Sequence, residues 1–328
     1  MAWDELVAAS AAPHITQTAA WSELKGLTGW AARRYRIADD TGPAGLAQVL
    51  TKRLPLGITV AYAPRGPLVA PDRLPDAIAA VRDALATERC ASLLCDPEVP
   101  ADEALAATLV RRGIVRSPVF VQPRRTLLMD LRLEPDALLA AMRKKTRQYI
   151  HKAERAGVAT EETRDLDRFL AVLKIVGERD RFALHSREYF ERLMKSFGDR
   201  AHVLMARVGS EDVGAMMLAR MGDRAWELYG GWSGAHDEAR PFYLLKWRAM
   251  MRMRALGAVR YDMWGLADSA SGDRAAKSED PLAGVENFKL GFGGEVAEWI
   301  GALETPVRRA LYPLWQFGAR RRLARSAA

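Results

Sequence analysis

The sequence predicts an α/β protein of two domains, each with an α+β arrangement of one sheet and helices packed on it. The chain has 328 residues, which exceeds most single hydrophobic cores and suits two domains of about 150 residues each. Hydrophobic residues make up 49% of the chain and charged residues 27%, a balance typical of globular proteins. Short apolar strand patterns alternate with amphipathic helix patterns in both halves, so we expect both halves to be mixed α/β.

The composition narrows the classes of function. Cys90 and Cys95 are the only cysteines, and no CxxC pair or Cys/His cluster is present to bind zinc, so we expect no metal and a reducing, cytoplasmic compartment. The N-terminus lacks the basic region followed by an apolar one that is typical of a signal peptide. The sequence also contains no run of about 18 apolar residues, so we expect no membrane span. A net charge of +8 and a pI near 9.6 favour an anionic partner, whether nucleic acid, nucleotide-linked substrate or anionic lipid surface. The alternative is a general excess of arginine in a chain rich in Ala and Arg.

The first half carries the pattern of a βαβαβ-like unit. Its helices are predicted over residues 3–9, 18–25, 74–88 and 102–113, and its strands over 33–37, 57–62, 90–95 and 125–131. Thr18 can cap the second helix, whose buried face would carry Trp21 and Leu24. Lys25 ends that helix, where it either stabilises the C-terminal carbonyls or binds a ligand. We therefore assign residues 1–131 to a first domain.

Asp96 directly follows the apolar strand 90–95, a position at which a carboxylate often points into a crevice. It is therefore a candidate proton acceptor. The alternative is an ordinary turn, because Pro97 comes next and Asp before Pro often opens one. The residues alone leave both alternatives open.

The second domain, residues 132–300, begins with a helix that the pattern extends from Pro135 to Gly157. A 13-residue stretch of this helix contains six basic residues and only one acid, Glu154. This excess of positive charge is larger than solubility requires, so it favours phosphate binding over a solvated face. The basic residues are Arg143, Lys144, Lys145, Arg147, Lys152 and Arg155.

Further helix and strand patterns follow, and a glycine-rich stretch closes the domain. Helices are predicted over 166–176, 187–197 and 241–257, and strands over 202–208, 213–219, 225–230, 259–265 and 296–299. The polar loop 267–283 is long enough to form a lid. Lys289 lies at a corner where Gly291, Gly293 and Gly294 allow positive φ and close approach, with Phe288 and Phe292 beside it. Lys289 is either a catalytic cation or an exposed lysine at a helix C-cap.

After this domain, an amphipathic C-terminal helix is expected within residues 301–328, and we expect it to complete the first domain.

Two α/β halves of this kind resemble two N-acetyltransferase-like (GNAT-like) domains in tandem. An acetyltransferase of that type holds the coenzyme A pyrophosphate on a [RQ]xxGx[GA] loop at a helix N-terminus. No such segment stands at a strand-to-helix junction in this chain, so we do not expect acetyl-CoA as a cofactor.

Several segments together resemble the FemABX family, whose members are aminoacyl-tRNA-dependent transferases that build the interpeptide bridges of peptidoglycan. They occur in the family's order and cover nearly the whole chain, and the Phe-Lys-x-x-Phe-Gly-Gly motif is the most specific of them. No long charged heptad insertion interrupts the second domain, so the chain resembles the FemX-like type without a coiled-coil arm. The segments are TQTAAWSELK ending at Lys25, YAPRGPL from Tyr62, the helix from Lys145 to Gly157, PFYLLKW from Pro241, RYDMWG from Arg260 and FKLGFGG from Phe288.

The resemblance implies an activity, partners and site residues. The activity is transfer of an amino acid from aminoacyl-tRNA to the stem peptide of a UDP-linked or lipid-linked muropeptide precursor, with no cofactor, in the cytoplasm or at the anionic inner surface of the membrane. Alternatives are a Fem-like transferase acting on a small natural product, and a non-catalytic tRNA-binding relative. The residues carried over by the resemblance are Lys289 for the oxyanion or tRNA 3′ end, Lys25 for a diphosphate, Tyr243 and Phe288 for the acceptor, Asp96 as a base, and His185 and Tyr189 as acceptor contacts.

His185 stands where the family more often has arginine, which weakens the expectation of phosphate binding there. The basic residues of the 135–157 helix, with Arg143, Lys144, Arg147, Lys152 and Arg155 as candidates, and the arginines at 320–325 are expected to bind tRNA.

Overall fold

The computed structural model of the chain describes residues 2–40, 42–119, 121–180, 183–267 and 283–319. The chain divides into two compact units, one formed by Met1–Arg125 with Glu298–Ala328 and the other by Thr126–Ala297. Each unit contains one seven-stranded sheet with helices, so the prediction of a mixed α/β fold is confirmed. No helix of the described ranges is both long enough and apolar enough to cross a membrane.

The first unit holds four α-helices of six or more residues and seven strands among its described residues. The helices are α1 (Trp3–Ala8), α2 (Ala19–Gly26), α3 (Leu74–Leu85) and α4 (Glu103–Arg111). The strands are β1 (Ala31–Asp39), β2 (Gly42–Arg53), β3 (Thr59–Ala63), β4 (Leu68–Val69), β5 (Cys90–Cys95), β6 (Val115–Arg116) and β14 (Leu303–Pro306). The sheet has the order β1-β2-β3-β5-β14-β6, and β4 pairs with β2.

Two elements of the first unit form as their local sequence predicts. The Thr18 hydroxyl accepts a hydrogen bond from the Trp21 N–H at 3.2 Å, which confirms the predicted cap of α2. All six residues of β5 are buried, as the apolar run predicts.

β2 was not predicted. Its first half contains Gly42, Pro43 and Gly45, which disfavour a strand, but antiparallel pairing with β1 and β3 holds the segment extended.

The C-terminal segment departs from the expected helix. Leu303–Pro306 forms a strand between β5 and β6, because Leu303 and Thr305 are buried there and Glu304 is fully buried among hydrogen-bond donors. The Glu304 carboxylate accepts from Trp315 Nε1 at 2.9 Å and from Ser117 Oγ at 2.9 Å. Short helical turns follow at Tyr312–Leu314 and Trp315–Ala319. The predicted arginine cluster at 320–325 lies outside the described residues.

The second unit is built on a sheet of order β13-β7-β12-β11-β10-β9-β8. Its strands are β7 (Arg125–Asp130), β8 (Ala159–Thr163), β9 (Ala201–Val208), β10 (Glu211–Met221), β11 (Arg224–Trp232), β12 (Arg260–Asp262) and β13 (Glu295–Glu298). Its helices are α5 (Pro135–Ala141), α6 (Lys144–Arg155), α7 (Leu166–Asp180), α8 (Arg187–Phe197), α9 (Pro241–Ala255) and α10 (Ala283–Leu290).

Two features of this unit differ from the sequence interpretation. Strand β7, which the prediction grouped with the first sheet, pairs antiparallel with β12, and its Leu127 and Met129 lie in the second unit's core. The helix predicted over 135–157 is two helices, since the chain is extended at Met142 and Arg143. There the Arg143 N–H donates to the Gly291 carbonyl at 2.9 Å, a bond to another segment in place of one within a continuous helix.

Candidate functional site

The glycine-rich corner after α10 packs tightly against other backbone. Gly293 and Gly294 have φ of +81° and +84°. A Cβ atom at Gly293 would lie 2.8 Å from the Ala141 carbonyl oxygen, and one at Gly294 would lie 2.5 Å from that of Leu128. Both the positive φ and the close approach predicted for this corner are therefore confirmed, and glycine is required there on two grounds. The corner fixes the end of α10, where Lys289 lies.

Lys289 is partly buried and its ammonium is held by backbone oxygens. Nζ donates hydrogen bonds to the carbonyl of Trp264 and, at 2.7 Å, to that of Gly265. Trp264 and Gly265 have φ of +44° and +72°, a left-handed turn that begins two residues after the end of β12. An exposed lysine at a helix cap does not fit this geometry.

The charge of Lys289 is perturbed by its surroundings. Burial and, to a smaller extent, the positive charge of Lys246 lower the pKa of this lysine to about 8. The carboxylates of Glu227 and Asp262 act in the opposite direction. At neutral pH the group remains mainly an ammonium, but it loses its proton far more readily than an exposed lysine.

A buried ion pair lies in the same unit and was not identified from the sequence. Lys246 on α9 bonds to Glu227 on β11, and the Tyr261 hydroxyl donates to the other carboxylate oxygen of Glu227 at 2.9 Å. Lys246 and Glu227 are 2% and 8% exposed, so the pair is shielded from water. The available signal was a lysine on the apolar face of the 241–257 helix and a glutamate within a strand pattern.

Aromatic rings form a cluster around α9 and α10. Phe288 contacts Tyr243 at 4.9 Å and Phe292 at 5.3 Å between ring centroids, and Tyr243 contacts Tyr149 at 4.9 Å. Lys246 Nζ lies 5.6 Å from the Phe288 ring centroid, which is within range of a cation–π contact. The Lys289 ammonium itself is held by the backbone carbonyls of Trp264 and Gly265.

His185 and Tyr189 belong to a second aromatic group with Tyr229. The His185 ring stacks on Tyr189 with centroids 3.9 Å apart, and the hydroxyls of Tyr189 and Tyr229 are 2.9 Å apart. Burial raises the pKa of Tyr189 to about 12, so its hydroxyl stays neutral. Tyr229 was not among the predicted residues, although it ends the strand pattern that carries Glu227. The register of β11 against β10 shifts between these two residues, which marks a β-bulge.

Asp96 in the first unit lies directly after β5 and is 2% exposed. One carboxylate oxygen accepts from the Tyr62 hydroxyl at 2.6 Å and the other from the Arg65 N–H at 2.7 Å. Burial raises the pKa of this carboxyl, and the Arg65 guanidinium and the hydrogen bonds oppose the rise. A carboxylate with both oxygens engaged inside the protein fits the turn-stabilising alternative better than proton transfer to a substrate.

Lys25 lies in the last turn of α2, as predicted. Its ammonium is 5.0 Å from the centroid of the Trp21 ring, and burial lowers its pKa to about 8. Its surroundings thus resemble those of Lys289 in one respect, because each lysine holds its charge where water is largely excluded.

The basic helix α6 displays most of its predicted cations to solvent. Arg143, Lys144, Lys152 and Arg155 are exposed. Arg147 differs, since its Nη1 donates to the carbonyls of Ala140 and Met142 at 3.0 and 2.5 Å at the end of α5. Arg147 therefore caps a helix C-terminus, and the exposed cations of α6 remain candidates for an anionic ligand.

The predicted lid at 267–283 lies almost wholly outside the described residues, which resume at Ala283. Within the described residues, no group of three or more His, Cys, Asp or Glu side chains could hold a metal ion.

Comparison with known proteins identifies the family. A sequence profile of the FemAB family matches residues 2–108, 115–214 and 210–320. The chain therefore belongs to the FemAB family. Lipid II:glycine glycyltransferase of Staphylococcus aureus is 29% identical over 194 residues, which are 55% of this chain and 46% of that protein. The chain thus spans about half the length of the curated relatives it matches.

Solved structures agree on the fold. FemX superposes with a TM-score of 0.84 at 21% identity, covering 95% of this chain and 97% of FemX. A tandem GNAT protein from the clavulanic acid biosynthesis pathway gives a TM-score of 0.51 at 17% identity, over 93% of this chain and 94% of that chain. The prediction of two GNAT-like domains in tandem is confirmed. The longest helices of the described residues have 15 residues, so none of them forms a long coiled-coil arm.

Proposed function

We propose that this FemAB-family chain transfers an amino acid from aminoacyl-tRNA to an amine on the stem peptide of a peptidoglycan precursor. Family membership and the likeness to a glycyltransferase that acts on lipid II support peptidoglycan aminoacyl transfer. Aminoacyl-tRNA as the donor follows from the FemABX resemblance and is the finer part of the proposal.

The observation that carries the proposal is the placement of Lys289. Its ammonium has three N–H donors, and the carbonyls of Trp264 and Gly265 orient it by accepting two of them. The remaining donor can stabilise negative charge on a substrate oxygen. Because the ammonium is partly buried, its electrostatic effect there exceeds that of a lysine in water.

The proposed chemistry needs no covalent enzyme intermediate. The neutral acceptor amine attacks the ester carbonyl carbon of the aminoacyl-tRNA and forms a C–N bond. The carbonyl oxygen becomes an oxyanion, which the Lys289 ammonium stabilises. The C–O bond to the terminal ribose then breaks, and the proton lost by the amine goes to the ribose oxygen, so tRNA leaves with a free hydroxyl. The ester supplies the activated acyl group, and we therefore propose no metal and no acetyl-CoA.

The other candidate residues have binding roles in this proposal. Tyr243 and Phe288 offer an aromatic surface to the acceptor, and His185 and Tyr189 contribute further acceptor contacts. Lys25 binds the diphosphate of the precursor, which a partly desolvated ammonium attracts strongly. We assign Asp96 to stabilising the chain around Arg65 instead of proton transfer, because both of its oxygens are engaged.

The exposed cations of α6, which include Lys144 and Lys152, are proposed to contact the phosphates of tRNA. Since a lipid-linked precursor would be presented at a membrane, we also propose cytoplasmic action with peripheral contact to anionic lipid. A UDP-linked precursor would not require that contact.

The test offers the purified chain a mixture of charged tRNAs with a panel of UDP-linked and lipid-linked muropeptide precursors, and detects products by mass. The expected product is a precursor heavier by one amino-acid residue. Lys289→Ala should lower the rate of its formation about 100-fold, whereas Lys195→Ala, a change at an exposed lysine on α8, should leave that rate unchanged. Turnover only with small natural-product amines, or tRNA binding without any transfer, would instead support one of the two alternatives.

A further inference from the structure

The ion pair between Lys246 and Glu227 is unusual in its setting. Lys246 lies on a buried face of α9 whose other members are apolar, with Leu245, Ala249 and Met250 fully buried. Replacing a buried ion pair by apolar residues of similar volume is often neutral or stabilising, because desolvation offsets the attraction. Stability alone is therefore a weak reason for a pair at this position.

The pair adjoins Lys289 through both packing and charge. Lys246 Nζ lies 5.6 Å from the ring centroid of Phe288, the residue that precedes Lys289 on α10. Its positive charge disfavours the charged form of Lys289, while Glu227 favours it. Among the described residues, the charged groups that act on Lys289 are Lys246 on α9, Glu227 on β11 and Asp262 on β12.

The network around the pair is satisfied and fixed. Glu227 accepts from Lys246 and from the hydroxyl of Tyr261, which is fully buried. Asp262, the next residue of β12, accepts from the Trp264 N–H at 2.7 Å and from the Thr126 hydroxyl. Trp264 in turn supplies a carbonyl to Lys289. The charges acting on Lys289 are thus anchored on the elements that also position its ammonium.

We propose that Lys246 and Glu227 are positioning residues that fix the Phe288–Lys289 end of α10, so that two opposite charges act on the Lys289 ammonium. The inference rests on the proposed function in giving Lys289 its part in catalysis. The balance of the two charges matters, because Lys246 promotes deprotonation and Glu227 opposes it.

This balance predicts an effect that a merely structural pair would not produce. Lys246→Met removes the repelling charge and should raise the pH at which Lys289 deprotonates by about half a pH unit or more, as expected for loss of one near charge. The double variant Lys246→Met/Glu227→Gln removes both opposing charges and should return the titration toward that of the original chain. It also leaves no unpaired buried charge, so it is expected to fold even if the single variant does not.

The experiment measures the Lys289 titration directly. The folded protein is labelled at a series of pH values with trace amounts of an amine-acylating reagent, and the extent of labelling of the Lys289 peptide is read by mass spectrometry. Lys195→Met is the matched control, since Lys195 is exposed on α8 and should leave the titration unchanged.

The outcomes separate this inference from the proposed function. A titration that moves upward in Lys246→Met and back in the double variant supports the inference, whether or not transfer is detected in the same preparations. An unchanged titration in Lys246→Met, or a double variant displaced as far as the single one, overturns it. If Lys246→Met does not fold, Glu227→Gln is measured against the original chain: loss of this carboxylate should move the Lys289 titration to lower pH, and an unchanged titration overturns the inference. Where transfer is detected, the alkaline limb of kcat against pH should move with the labelling curve.

Discussion

Loss of the Lys289 charge, by alkaline pH or by Lys289→Ala, is the perturbation that bears most directly on the proposed chemistry. Burial lowers the pKa of Lys289 to about 8. An ammonium with that pKa is roughly nine-tenths protonated at pH 7 and roughly one-tenth protonated at pH 9. If only the protonated form stabilises the oxyanion, kcat should fall about tenfold between these pH values. Activity is therefore present below the pKa and lost as the pH rises through it.

Lys289→Ala should lower kcat by about 100-fold or more and leave the KM for the acceptor nearly unchanged, by analogy with the loss of one oxyanion donor. Lys289→Arg should restore little, because a planar guanidinium does not match the compact place that the carbonyls of Trp264 and Gly265 define for an ammonium. The residual rate of the alanine variant should also lack the loss of kcat between pH 7 and pH 9.

The assay follows product mass in single-turnover and steady-state reactions at saturating acceptor. Saturation is needed because Lys25 also has a pKa of about 8, so its deprotonation would raise the KM in the same pH range. Hydrolysis of the aminoacyl ester without enzyme is subtracted at each pH. Near-normal turnover of Lys289→Ala in folded protein, or an alanine variant with the same alkaline loss of kcat, would refute the reasoning.

Four other predictions concern separate parts of the chain. Lys25→Ala should raise the acceptor KM with little change in kcat, because a diphosphate remote from the reacting carbonyl is bound alike in ground and transition states; steady-state kinetics test this, and a kcat loss alone would contradict it. Affinity for tRNA should fall steeply with salt, and Lys144→Ala/Lys152→Ala should reduce the slope of log affinity against log salt by about 1 to 2 in filter binding, whereas a flat salt response would count against α6. Glu304→Ala should lower the free energy of unfolding by about 3 kcal/mol in denaturant titration by leaving buried donors unpaired, and a loss no larger than that of the exposed control Glu178→Ala would show that the carboxylate is dispensable. Acetyl-CoA should not support acyl transfer to any amine, and saturable acetylation measured by release of free coenzyme A would contradict the functional proposal.

The sequence predicted elements best where a local rule and the tertiary environment agree. Thr18 caps α2 because its hydroxyl reaches a free N–H within three residues, a purely local event. β2 and β14 could not be predicted in the same way. The glycines and proline of β2 disfavour a strand, and β14 is extended because residues distant in sequence pair with it on both sides.

In the candidate site, too, features set by local sequence were predictable, and features set by tertiary packing were not. The glycines around Lys289 indicated a tight corner, since positive φ and close approach leave a mark in the residue type itself. The carbonyls that hold Lys289 carry no such mark, because every residue has one. Lys246 and Glu227 are far apart in sequence, and only the packing of α9 on the sheet makes them partners. Asp96 shows that a position at a strand end does not by itself separate a turn from a proton acceptor.

The central claim, that this chain forms a peptide bond from an aminoacyl ester, is tested most directly by measuring product and spent donor together. The chain is incubated with aminoacyl-tRNA and a muropeptide precursor, and the modified precursor and enzyme-dependent release of uncharged tRNA are quantified in the same samples. We predict equal amounts of the two, with both abolished by ribonuclease treatment of the donor and reduced about 100-fold by Lys289→Ala. Uncharged tRNA without modified precursor, or modified precursor formed equally well after ribonuclease treatment, would contradict the account.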